Sequence, residues 1–135
     1  MSEFKSVFEK GEVNPYGQFF VGQSYLKPLA NLNGVGAANV TFEPGCHNNW
    51  HIHRAAKGGG QILLCTAGRG WYQEWGKEAR ELKAGDAVAI PTGVKHWHGA
   101  AKDSFFAHIS VEVPGENGST EWLEPVSDED YNKLK

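Results

Sequence analysis

Apolar residues in this chain recur at alternate positions or in short runs, and Gly, Pro or Asn interrupts them before a helical stripe can develop. Alternation puts successive side chains on opposite faces of an extended backbone, whereas a helix needs apolar positions three and four residues apart. The pattern predicts an all-β chain with short strands at 18–26, 37–43, 49–53, 61–67, 70–75, 81–82, 87–90, 95–100 and 105–113. Turn chemistry separates them: Pro44-Gly45, Gly58-Gly59-Gly60, Gly68-Arg69-Gly70, Gly76-Lys77, Gly85-Asp86 and Pro91-Thr92-Gly93. The 17 glycines and 6 prolines fit a turn-rich sandwich or small barrel better than a helix bundle. Only the end reads as helical. Ser127 is placed to cap a short helix through Asp128, Glu129, Asp130, Tyr131 and Leu134, a terminal flap with acids in its first turn and lysines in its last.

A chain of 135 residues suits one domain, 1–135. Its 13 basic and 16 acidic side chains leave no positive surplus to follow a phosphate backbone or an anionic bilayer, so neither nucleic acid nor membrane is expected as a partner. The opening MSEFKSVFEKGEV contains no continuous apolar segment, which predicts a cytoplasmic protein. Cys46 and Cys65 form neither a CxxC pair nor a bridge framework and are expected reduced. Cys65 shares the parity of Gln61 and reads as a small core residue rather than a nucleophile. Paired glycosidase-type carboxylates, a Gly-rich phosphate cradle and a GxSxG motif are absent.

Chemistry concentrates in two segments. In Gly45-Cys-His-Asn-Asn-Trp-His51-Ile-His53 two imidazoles lie two positions apart, and on an extended strand both emerge on one face. The segment from Gly85 to His98 repeats the geometry with His96 and His98 on one face and Trp97 on the other. One such pair also fits hydrogen-bonded core histidines; two, each preceded by a glycine turn, point to a metal.

These segments resemble the two motifs of the cupins. Gly45, His51, His53, Gln61 and Gly68 follow the first motif, and Gly85, Pro91, Gly93 and His96 match every position of the second. Over roughly 38–112 the chain looks like the small one-domain cupins, including relatives of manganese-dependent hydroxynitrile lyases and cupins associated with carboxymuconolactone decarboxylases. The resemblance implies a double-stranded β-helix, or jelly-roll barrel, holding one divalent transition metal on His51, His53, Gln61 and His96. Two features depart from it. Seven residues, Arg54 to Gly60, separate His53 from Gln61 where the family usually has three or four, and Ala100 stands where an asparagine is common. The longer loop is expected to return Gln61 to the metal and to cover the pocket mouth, although Gln61 also reads as a barrel-lining amide.

With an amide in the fourth place the ligands carry no formal negative charge, so the ion keeps its +2 and favours oxyanions, enolates or cyanide. Nitrogen and oxygen donors without thiolate suit Mn, Fe, Co, Ni or Zn without choosing among them, and the resemblance to manganese-dependent cupins puts Mn first. His98 lies one strand repeat beyond His96, as an acid or base beside the metal. His108 and Glu112 fall on the more polar face of 105–113. By resemblance to the hydroxynitrile lyase cupins they line the pocket, as do Ala38 and Val40. His98 and His108 equally fit histidines that bond backbone or orient ligands, and His47, near a turn, is expected exposed.

The resulting expectation is a metal-dependent enzyme acting on a small molecule, first a lyase of the hydroxynitrile type, with His98 or His108 moving a proton. A cupin dioxygenase and a non-catalytic ligand-binding cupin are the alternatives. Trp50, Ile52, Trp97, Ile62 and Leu64 oppose the inward residues, so the outer face is apolar and needs cover from the N-terminal strands, a second sheet or another subunit. A homodimer is expected.

Overall fold

The computed structural model describes residues 5–135; Met1 to Phe4, the first four residues of the opening segment, lie outside them. Fourteen strands are formed by the described residues: β1 (Glu12–Val13), β2 (Phe20–Val21), β3 (Ser24–Leu32), β4 (Val35–Phe42), β5 (His47–Asn48), β6 (His51–Arg54), β7 (Lys57–Gly58), β8 (Gln61–Glu74), β9 (Arg80–Lys83), β10 (Ala87–Ile90), β11 (His96–Ala100), β12 (Phe106–Glu112), β13 (Gly115–Glu116) and β14 (Ser119–Trp122). One helix, α1 (Asp128–Asn132), follows. No helix among the described residues is long and apolar enough to cross a membrane.

All strand pairings are antiparallel, and β8 belongs to both walls of a curled sheet. Its first half lies between β10 and β12 in the order β1-β3-β4-β12-β8-β10. Its second half lies between β9 and β11, and β11 continues to β5 and β6, with β14 outside β6. Val40, Phe42, Leu63, Cys65, Leu82, Ile90 and Phe106 fill the space between the walls. The alternation along β8, with Gln61, Leu63, Cys65 and Ala67 buried and Leu64 exposed, is the period-two pattern of a strand with one face inward.

The Gly68-Arg69-Gly70 segment is not a turn. The strand runs straight through it, because this is where β8 passes from one wall to the other. Gly68 has φ +73°, and a Cβ there would lie 1.8 Å from the Phe105 carbonyl oxygen; one on Gly70 would lie 2.3 Å from that of Gly99. The glycines allow close backbone approach and a positive φ at the corner of the barrel, assisted by a register shift between Ala107 and His108. The expected strand at 18–26 is likewise divided. A 3₁₀ turn (Gly17–Phe19) and β2 precede β3, which forms a hairpin with β4 through Asn33-Gly34, both at positive φ.

Ser127 caps α1 by accepting from the Asp130 N–H at 3.1 Å, as its position in the sequence suggests. The helix ends at Asn132, with Lys133 in the capping position. Its Tyr131 packs with Trp50, Trp97 and Val126, and Leu123 and Leu134 close the edge. The outer face behind the histidine strands is therefore covered by this chain's own C-terminal segment.

Candidate metal centre

Four strands bring five imidazoles and one amide together. β6 carries His51 and His53, β11 carries His96 and His98, β12 carries His108, and Gln61 opens β8. His51 and His96 are directly paired across β6 and β11. Their ring centroids are 4.2 Å apart, and His53 stands 5.2 Å from each.

Hydrogen bonds fix which nitrogen faces the centre. Nδ1 of His51 lies 2.8 Å from the Asn49 carbonyl, and Nδ1 of His96 lies 2.8 Å from that of Val94. A carbonyl only accepts, so each Nδ1 bears the proton and each Nε2 is left with a lone pair. Nδ1 of His53 is held instead by the Thr120 hydroxyl at 3.3 Å. The Nε2 atoms of His53 and His96 and the Oε1 of Gln61 are buried without a hydrogen-bond partner. Burying several acceptors unpaired in one place is expensive, and a cation resolves all of them at once.

The tightest trio of donor atoms, within 4.8 Å of one another, comprises His51, His96 and His98 rather than His53. His98 nevertheless has polar partners on both ring nitrogens. Nε2 lies 3.3 Å from the Asn48 amide nitrogen, and Nδ1 lies 3.2 Å from Nε2 of His108. His53 offers a buried nitrogen with no hydrogen-bond partner.

The Asn48 amide oxygen accepts from the His98 backbone N–H at 2.9 Å, which turns its NH₂ toward the ring. Nε2 of His98 then accepts, and its Nδ1–H donates to His108, whose Nδ1–H in turn donates to Ser110 Oγ at 3.2 Å. These four groups form a directed chain of hydrogen bonds beside the centre. Burial drives the basicity of the histidines down: His96 is held at about 4 and His108 at about 3. His51 and His98 lie well below the ordinary imidazole value, with burial first and a neighbouring histidine (His96 and His108 respectively) second. His53 is lowered by burial as well. Neutral imidazoles are the ligating form.

The centre opens into a cavity of about 720 Å³, lined on its apolar side by Phe20, Leu26, Ala38, Val40 and Phe42. His108, Ser110 and Glu112 also line it. Glu112 does more than line the wall: its carboxylate accepts from the Gln61 amide at 2.6 Å, supplying negative charge one bond beyond the neutral donors. His47 is a correction. It is 3% exposed, on the far side of β11 from the centre, because β5 pairs with β2 and β11 and the Tyr131 ring stacks on it at 4.0 Å. Asn48, Thr120 and Trp122 were missed. Trp122 pairs with His51 across β14 and β6, and the rings lie 4.5 Å apart. The only signal in the sequence was the alternation of Thr120 and Trp122 after Gly118.

A β-helix with two histidine-bearing strands converging inside it defines a cupin, and the comparisons agree. The cupin domain model matches residues 38–111, and the chain belongs to the cupin family. It is 35% identical over 134 residues to an (R)-mandelonitrile lyase of Granulicella tundricola, covering 97% of this chain and 99% of the relative. It is 39% identical to a cupin-like protein of Thermotoga maritima, whose structure superposes with a TM-score of 0.82 over 97% of this chain and 98% of that one. A protein with a double-stranded β-helix domain from Klebsiella pneumoniae, at 21% identity, shares the fold with a TM-score of 0.63 over 83% of this chain and 90% of that one.

Proposed function

We propose that this cupin is a metal-dependent lyase that cleaves a hydroxynitrile to a carbonyl compound and hydrogen cyanide, or joins them. The observation that carries this reading is the cluster of three partnerless donors, His53 Nε2, His96 Nε2 and Gln61 Oε1, beside a hydrogen-bonded histidine pair at the end of a largely apolar cavity. The likeness to a mandelonitrile lyase over nearly the whole of both chains supports it. His51, His53, Gln61 and His96 would hold a divalent ion, Mn by preference, which when bound supplies a Lewis acid for a hydroxyl or carbonyl oxygen.

The chain's own residues do the rest. The apolar wall of Phe20, Val40 and Phe42 takes the body of the substrate and excludes water. His98 lines the same cavity and is neutral, so its Nε2, exchanging the long 3.3 Å bond to the Asn48 amide for one to the substrate, can accept the hydroxyl proton as the carbon–carbon bond breaks and its electron pair leaves with cyanide. His108, bonded to Nδ1 of His98, steadies the imidazolium so formed until the proton passes to cyanide. Cyanide release from mandelonitrile by protein reconstituted with Mn tests the reading; metal bound in stoichiometric amount with no release above background refutes it.

We also propose that the protein works as a homodimer. Leu64, 40% exposed, and the half-buried Ile62, Ile109 and Val111 form cross-strand pairs on the outer face of β8 and β12, an apolar patch suited to a second copy. A monomeric mass in sedimentation equilibrium at micromolar concentration refutes this.

A further inference from the structure

We propose that Glu112 is the specificity-determining residue of the cavity: it holds the Gln61 amide with its oxygen turned inward and weakens the site's preference for anionic ligands, shifting selection toward uncharged hydroxy and carbonyl compounds. This rests on the metal-dependent reading above and names its substrate class.

Three observations converge. Glu112 and Gln61 are direct cross-strand partners at the ends of β12 and β8, and the Gln61 Nε2 donates to the Glu112 carboxylate at 2.6 Å. A carboxylate accepts and never donates, so the amide has one favourable orientation; turned over, its carbonyl oxygen would face the carboxylate. The inward Oε1 is then the buried atom without a partner. Glu112 thus decides that this position offers an oxygen donor to the centre rather than an N–H.

The second consequence is electrostatic. Glu112 is exposed at the end of its strand yet lines the cavity, and among the described lining residues it is the sole charged side chain. Among the described residues no lysine or arginine lines the cavity to receive a carboxylate or phosphate. Sites that select such anions supply a cation with hydrogen-bonding geometry, commonly arginine. Here an entering anion meets the Glu112 charge, which opposes the attraction of a divalent ion held by neutral donors.

The experiment compares mandelate and mandelamide, which share a carbon skeleton and differ in charge, on Mn-loaded wild type and Glu112→Gln. The substitution keeps size and a hydrogen-bond partner for Gln61 while removing the charge. Dissociation constants come from calorimetry, with Mn stoichiometry measured on the same samples. Any preference of the metal itself for mandelate is common to both proteins, so the readout is the change in the mandelate-to-mandelamide affinity ratio. We expect that ratio to rise about tenfold in Glu112→Gln, the size of effect a unit charge exerts several ångströms away in a partly solvated site. A ratio unchanged within twofold, or failure of both probes to bind the Mn-loaded wild type, overturns the role given to Glu112. Failure of wild type to bind Mn at all is a distinct result that sinks the metal-dependent reading and this proposal with it.

Discussion

Acid should unfold the metal-free protein over a window set by its histidines. All six imidazoles are less basic in the folded chain than in a free peptide, with burial the leading cause for each. A histidine whose folded value is depressed is neutral in both states above about pH 6.5. Below that the unfolded chain takes up the proton and the folded chain does not, so stability falls with pH until the folded value is reached. With folded values of about 3 for His108 and about 4 for His96, each contributes a loss of about 2 kcal/mol between pH 7 and pH 5. The two together remove about 4 kcal/mol from a domain whose total is of order 5–15 kcal/mol. The depressed carboxyl of Glu74, bonded to Lys77 and Tyr72, titrates below its ordinary value of 4.5 and adds little above pH 5. Urea unfolding in EDTA, followed by tryptophan fluorescence, should show the midpoint falling by at least about 2 M from pH 7 to pH 5 for a slope near 2 kcal/mol/M, since the other four histidines act in the same direction. A midpoint that moves by less than about 0.5 M would refute the premise that these rings are buried in neutral form.

Substitutions at two positions test the contribution of the C-terminal segment. Thr120→Val removes the hydroxyl that holds His53 Nδ1 while keeping the side chain's shape, and should weaken Mn or Zn binding about tenfold, with Thr120→Ser restoring it; competition against a chromophoric chelator measures this, and equal affinities for all three proteins would contradict it. Tyr131→Ala removes the ring stacked on His47 and the hydroxyl that donates to the Ala100 carbonyl at 2.6 Å. It should destabilise by about 3 kcal/mol and expose Trp97 to quencher, whereas Tyr131→Phe should lose about 1 kcal/mol.

What could be read in advance was whatever depends on strand parity. His51 with His53, and His96 with His98, face one way because an extended chain leaves them no other choice, and the cap at Ser127 is equally local. The rest depends on pairings distant in the chain. Gly68 and Gly70 have the composition of a turn, and only the proximity of Phe105 and Gly99 shows that they serve a strand corner. His47 has the neighbours of an exposed turn residue until Tyr131, far along the chain, lies on its ring. The hydroxyl that positions His53 comes from Thr120, 67 residues away, and the carboxylate that orients Gln61 from Glu112, 51 residues away. Periodicity carries no information about such partners.

The lengthened loop between His53 and Gln61 shows the same distinction from the other side. If the loop positioned Gln61, extra residues would displace it. The position is instead imposed from outside the loop: Gln61 pairs with Ile90 of β10 and with Glu112 of β12, and the Val113 N–H donates to the Gly60 carbonyl at 3.1 Å. The added residues are taken up in β7, which pairs with β13 through Lys57–Glu116 and Gly58–Gly115, while Gly58, Gly59 and Gly60 all adopt positive φ to make the return. Registry in a central strand fixes side-chain placement to within one residue, because a one-residue slip would turn Gln61 outward and bring the apolar Ile62 in. Loop length is cheap by comparison, since closure entropy grows only with the logarithm of the number of residues. A donor set can therefore be kept in place while the segment joining its members changes length, provided the strands at both ends retain their neighbours.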